Sequence, residues 1–322
     1  MSLPAAAVGS TGIRLTSLGF GAAPIANLFA AVDEQIALAT VDAAWDGGIR
    51  YFDTAPHYGL GLSELRLGKA LRARPRDEFV LSTKVGRLLE ANPHPTGSDL
   101  ADGGFDVPDD YRRVRDYTRD GVLRSIDASL GRLGLDRLDI VYIHDPEDFM
   151  AEAITEAAPA LSALRDQGVI GAYGAGMNSS QPLQRLVAET DLDVVMVAGR
   201  WTLLDRTALP LLDQCRQQGV AVVAAAPFNS GLLASPSPGE ESTFDYGLAP
   251  AALLSRARAM ASECRRRGLS LPQAALQFPL RHPAVVSVVA GMKSPAEATA
   301  DVALAVAPVP PPAWAALEEQ LT

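Results

Sequence analysis

Eight short apolar runs, each separated from the next by a helix-length segment, set the strongest limit on what this chain can fold into. They are Leu18-Gly19-Phe20-Gly21, Ile49 to Phe52, Phe79 to Thr83, Asp139 to Ile143, Val169 to Gly174, Val194 to Val197, Val220 to Ala225 and Val285 to Val289. Short apolar runs rich in Val and Ile read as strands buried on both faces, as in a parallel sheet. The intervening stretches carry helical signals. Asp33 can cap a helix through Trp45 that Gly47-Gly48 ends, and Val122, Ile126, Leu130 and Leu133 lie on one helical face. Pro182 and Pro295 suit first helical turns.

This alternation predicts a closed (βα)8 TIM barrel rather than an open doubly wound sheet, with residues 1–322 as one domain. A small hairpin is expected from Gly9 onward, entering the first strand. Residues 86–117 and 227–250, after strands three and seven, are rich in Pro, Gly and Asp and read as long loops. Loops of that length in compact domains are usually functional or disordered.

Composition narrows the function. A net charge of −10 argues against nucleic-acid binding and against adhesion to anionic membranes. Cys215 and Cys264 lie far apart in expected helices, which fits a reducing cytosol better than a disulfide framework. No signal peptide or membrane-spanning run is visible, so a cytoplasmic location is expected. The four histidines show no metal-ligand spacing, and no metal site is expected. Gly59-Leu60-Gly61 lacks the third glycine and the strand context of a Rossmann fingerprint.

The chemistry gathers at the C-terminal ends of strands two, three and four. There the runs deliver Asp53, Lys84 and His144, and Tyr58 follows in the loop after Asp53. Neighbouring strands in a parallel sheet lie roughly 5 Å apart, so such groups can converge. Singly, each has an ordinary structural reading: an ion pair, a hydrogen-bonded histidine, a packed turn tyrosine. Together they suit carbonyl/alcohol redox chemistry. A cation beside a phenol favours the phenolate, an acid holds the cation, and an imidazole orients the substrate oxygen. Electron transfer then requires a bound cofactor.

At these residues the chain resembles the aldo-keto reductase superfamily. Asp53-Thr54-Ala55-Pro56-His57-Tyr58-Gly59-Leu60-Gly61-Leu62-Ser63-Glu64 is similar to the family signature after the second strand, joined by Ser82-Thr83-Lys84 and Ile143-His144. The resemblance implies a tetrad of Tyr58 as proton donor/acceptor, Lys84 and Asp53 as its tuners, and His144 as substrate orienter. It also implies NAD or NADP extended across the barrel mouth, held by Gly21, Asn178, Phe228, Gly231, Leu232, Gly291, Lys293, Ser294 and Glu297. The usual nicotinamide-stacking aromatic falls near Ala225-Ala226 here, with Phe228 as the substitute. Glu297 stands where NADP-dependent relatives often carry Arg, and a carboxylate there favours NAD.

Asp116 to Ser125, His144-Asp145-Pro146 and Gly199-Arg200-Trp201 are similar to the aldose 1-dehydrogenase branch, which includes L-fucose, D-threo-aldose and L-galactose dehydrogenases. That implies oxidation of an aldose at C1 to the lactone. His57, Arg200, Trp201 and Tyr246 are the candidate substrate contacts. An aldehyde or ketone reductase, a pyridoxal 4-dehydrogenase and a non-catalytic nicotinamide-binding regulatory subunit are the alternatives. The expected partner is a small sugar or aldehyde, and the sequence sets no oligomeric state.

Overall fold

In the computed structural model, which describes residues 3–319, eight parallel strands close into a barrel in chain order. They are β1 (Leu18–Gly21), β2 (Tyr51–Asp53), β3 (Val80–Val85), β4 (Leu138–His144), β5 (Ile170–Met177), β6 (Val194–Ala198), β7 (Ala221–Ala225) and β8 (Val285–Gly291). β8 pairs with β1, which closes the ring. The helices that pack outside include α1 (Glu34–Asp46), α2 (Leu62–Leu71), α3 (Arg119–Leu133), α4 (Ala158–Asp166), α5 (Ser180–Glu189) and α6 (Leu209–Gln218). After β7 come α7 (Ala251–Arg266) and α8 (Leu271–Gln277), and after β8 come α9 (Pro295–Val306) and α10 (Pro311–Glu319).

Local chemistry sets the helix limits. Asp33 accepts from the amides of Gln35 and Ile36 at 2.8 and 3.3 Å, starting α1 where its cap was expected. Thr118 caps α3, which ends at Gly134 in the left-handed conformation (φ 63°). Among the described residues no single helix is long and apolar enough to cross a membrane. Both cysteines are buried and free.

The sheet register places the chemistry. Asp53 pairs with Ser82, Lys84 with Tyr142, and His144 with Gly176. Alternation along a strand then puts Tyr51 with Asp53, Ser82 with Lys84, and Tyr142 with His144 on one face. Tyr51 and Tyr142 pack in the inner cluster with Ile140, Ala172, Met196 and Val223, so this is the face inside the barrel.

Three expectations are revised. The N-terminal hairpin pairs Ala5–Ala7 with Arg14–Thr16, so it begins before Gly9 and ends before β1. Its Val8 and Leu15 are wholly buried in the inner cluster, and Gly9 lies against Gly219, which precedes β7. The hairpin therefore stops the end of the barrel where strands begin. Residues 86–117 are not all loop. Arg87–Ala91 pairs antiparallel with Tyr111–Arg115, although only Leu88 of the ladder is buried. Residues 227–250 hold a short 3-10 turn, Asn229–Gly231, and a two-residue ladder between Thr243–Phe244 and Gly247–Leu248.

Candidate active site

Lys84 occupies the centre of the site, 2% exposed inside the barrel. Its ammonium donates to Asp53 Oδ2 at 2.7 Å and to the Thr54 carbonyl at 2.9 Å. It also lies over the Tyr58 phenol, with Nζ 4.8 Å from the ring centroid. The His144 ring lies 5.9 Å from the Tyr58 ring at 87°, and the His57 ring 5.7 Å from His144. The structure thus brings Asp53, Tyr58, Lys84 and His144 into one cluster, with His57 against it. Phe105 walls this cluster, 5.6 Å from His57 and 6.2 Å from Tyr58.

Beneath it runs a chain of hydroxyls. Ser82 Oγ donates to Asp53 Oδ1 at 2.7 Å, Tyr51 Oη is 3.1 Å from Ser82 Oγ, and Tyr142 Oη is 3.2 Å from Tyr51 Oη. Both Asp53 oxygens are therefore occupied, one by Lys84 and one by this chain. Such satisfaction is what lets a buried carboxylate remain ionised.

The electrostatics are positive. Burial, with Arg87, Arg113, Lys84 and Arg115 nearby, pushes His57 down to about 2. Burial and the same surroundings hold His144 well below the usual imidazole value. Both rings are neutral at physiological pH, and the Nδ1 atom of each has no partner in the protein. Asp145 Oδ2 lies 3.5 Å from His144 Nε2, which favours the tautomer with its proton on Nε2. Asp53 raises Lys84 above its ordinary value against the opposing effect of burial. Tyr58 corrects a simple expectation. Lys84 does pull its pKa down, but burial is the larger influence and the phenol sits above its ordinary value in the chain alone.

Other sequence-derived residues fall into groups. Arg200 Nε donates to the Asn178 carbonyl at 2.9 Å, and its guanidinium pairs with Asp205 and Asp245. It ties together the loops after β5, β6 and β7. Tyr246 is 65% exposed, with its ring 6.1 Å from that of Phe29. The Trp201 ring packs on Phe278 and His282, and its indole N–H donates to the Pro279 carbonyl at 3.2 Å. The Leu232 side chain is wholly buried, and its amide donates to the Asn229 and Thr243 carbonyls. Gly21 and Gly291 have packing reasons for lacking a side chain. A Cβ would lie 3.1 Å from Ala290 O at the first and 2.9 Å from Pro24 Cγ at the second.

The remaining donors fit a dinucleotide. α9 presents its amino end beside exposed Lys293, and Ser294 caps it by accepting from the Glu297 amide at 3.2 Å. Glu297 Oε2 accepts from the Lys293 amide at 2.8 Å, which fixes its carboxylate at the same helix end. Gly231 (φ 108°) opens the turn after β7, with nothing nearer a Cβ than Thr243 Oγ1 at 3.7 Å. Phe228 is half-buried and packed on the core beside that turn.

The sequence reading missed Ser82, Tyr51 and Tyr142, which stand two residues before Lys84, Asp53 and His144. Strand alternation alone could have found them. Arg87, Arg113, Arg115 and Tyr117 were hidden in the segment read as loop.

The Aldo/keto reductase family model matches residues 17–321. The chain is 48% identical to a D-threo-aldose 1-dehydrogenase of Pseudomonas sp., over 99% of this chain and 98% of that one. It is 39% identical to a pyridoxal 4-dehydrogenase of Microbacterium luteolum, over 98% and 96%. Its fold is similar to that of an aldo-keto reductase from Bacillus halodurans in holo form, with a TM-score of 0.79, 25% identity and coverage of 99% and 97%.

Proposed function

Since the chain belongs to the aldo/keto reductase family, we propose that it oxidises an aldose at C1 to the lactone, with Tyr58 as the base. The observation that carries this reading is the cluster of Tyr58, Lys84, Asp53 and His144 within one buried face of β2 to β4 and the loop after β2. The 48% identity to a D-threo-aldose 1-dehydrogenase supports the sugar as substrate.

A bound nicotinamide dinucleotide supplies the acceptor for the hydride leaving C1. Asn178, Phe228, Gly231, Lys293, Ser294 and Glu297 would hold it. His144, neutral and protonated on Nε2, donates to the anomeric oxygen and sets its position. Tyr58 takes the anomeric hydroxyl proton as the C1–H bond breaks. Lys84 stabilises the phenolate that does this, and Asp53 keeps Lys84 charged and aimed. In the reverse direction the same phenol returns the proton to a carbonyl oxygen.

NAD is the proposed cofactor. Glu297, tied to the Lys293 amide at the start of α9, would repel a 2′-phosphate and accept from a ribose 2′-hydroxyl. Replacing Glu297 with Arg is expected to move the kcat/KM ratio of NAD over NADP toward NADP by at least tenfold. A wild-type preference for NADP would refute the assignment.

The test of the reaction is a panel of L-fucose, D-arabinose and L-galactose with cofactor reduction followed at 340 nm. Turnover of aromatic aldehydes or pyridoxal alone would replace the sugar reading with the one favoured by the 39% identity to a pyridoxal 4-dehydrogenase.

A further inference from the structure

Asp145 follows the last residue of β4 with its backbone in the left-handed region, φ 44°. A non-glycine residue there is uncommon, and such strain persists only where surrounding structure over-determines it. Here the surroundings do so. The Asp145 amide donates to Gly176 O at 3.1 Å and its carbonyl accepts from Arg115 Nη1 at 2.6 Å, while the Tyr117 hydroxyl is shared between the His144 and Asp145 carbonyls at 2.6 and 2.9 Å. Tyr117 fits under this turn because Gly86 has no side chain; a Cβ there would lie 2.1 Å from the Tyr117 ring.

The effect of the clasp is to hold a carboxylate over the reacting group. Asp145 Oδ2 stands 3.5 Å from His144 Nε2 and pairs with Arg87. Its side chain is 25% exposed, against 12% for its partner Arg87. Burial raises the Asp145 pKa although Arg87, Lys84 and Arg115 all oppose it. His57, neutral and with Nδ1 unpartnered, packs 5.7 Å from the His144 ring.

We propose that Asp145 is a specificity residue, whose carboxylate accepts a hydrogen bond from the hydroxyl on the carbon next to the reacting one. The inference rests on the aldose reading and deepens it. With O1 held at His144 Nε2, an acceptor oxygen 3.5 Å from that nitrogen is within reach of the hydroxyl on the next carbon. The site therefore selects 2-hydroxylated carbonyl compounds and their cyclic hemiacetals over simple aldehydes and 2-deoxy sugars. A site built to bind a hydroxyl rejects an analogue lacking it because its own polar group is left unpaired.

The experiment compares kcat/KM for D-arabinose and 2-deoxy-D-ribose, which differ only in whether C2 carries a hydroxyl. Asp145→Gly removes the carboxylate while suiting the left-handed backbone, and Asp145→Asn keeps an acceptor oxygen. Wild type is expected to prefer D-arabinose by about 10- to 100-fold. The Gly variant is expected to bring the ratio to within about threefold, with D-arabinose activity falling further than 2-deoxy-D-ribose activity and Asn intermediate. Cofactor affinity, read by protein fluorescence quenching, is expected to be unchanged in both variants and reports that they fold. A variant that loses both sugars equally, or keeps the wild-type ratio, overturns the role of Asp145 alone. A wild type that oxidises neither sugar overturns the aldose reading and this inference with it.

Discussion

Tyr58 is above its ordinary pKa because burial outweighs Lys84, and this has a measurable sign. Oxidation needs the phenolate, so log kcat/KM for an aldose is expected to rise with pH from about 7 to about 10. Because His57 and His144 are both neutral, no limb is expected near the usual imidazole pKa of about 6.5. Tyr58→Phe is expected to remove the slope and about 10²- to 10⁴-fold of the rate. A bell with an acidic limb near neutrality would assign the proton to a histidine instead. Ser82 makes a second prediction at this scale. Ser82→Ala leaves Asp53 Oδ1 unpaired and is expected to cost about 1.5–3 kcal/mol in denaturant unfolding. It is also expected to lower kcat with little change in sugar KM. The four tetrad residues were legible because each is a polar residue at or just after the end of an apolar run. Ser82, Tyr51 and Tyr142 were not, because inside such runs they read as strand formers. Asp145 was seen only as part of a motif, since its pairing with Arg87 depends on how β4 and the hairpin after β3 meet.

Among the elements, the hairpin after β3 does what its sequence conceals. Arg113 clasps Asp99 through two 2.6 Å bonds and donates to the His57 carbonyl at 2.9 Å, so this excursion braces the loop that carries Tyr58. Its strands, Arg87-Leu88-Leu89-Glu90-Ala91 and Tyr111-Arg112-Arg113-Val114-Arg115, mix charged and apolar residues without a period of two, so they carry no strand signal to read. α9 supports a different prediction. Asp301 is 8% exposed, and burial, with Glu297 one turn earlier, raises its pKa to about 7. Its folded pKa exceeds its unfolded one, so the folded state binds the extra proton between those values. Stability from this group is full below about 4, falls as pH rises, and is lost above about 7. Asp301→Asn is therefore expected to raise Tm at pH 8 and to change it little at pH 4. The gain is at most about 4 kcal/mol, the full pKa difference converted to energy. An equal Tm change at both pH values would show that the carboxyl is not protonated in the fold.

For the molecule as a whole, the barrel was readable because eight apolar runs alternate with helical segments and only a few architectures bury that many strands on both faces. Closure was expected from the count of eight strand–helix units, and the pairing of β8 with β1, two runs at opposite ends of the chain, bears it out. Trp201 shows the limit: its type suits a binding surface, and only the fold reveals that its indole N–H donates to Pro279. The hairpin whose Val8 and Leu15 fill the strand-starting end has a consequence for traffic. It closes the strand-starting end, which leaves the opposite rim, where the tetrad lies, as the side from which a reactant arrives and a product departs. Whatever slows departure at that rim also slows the next arrival.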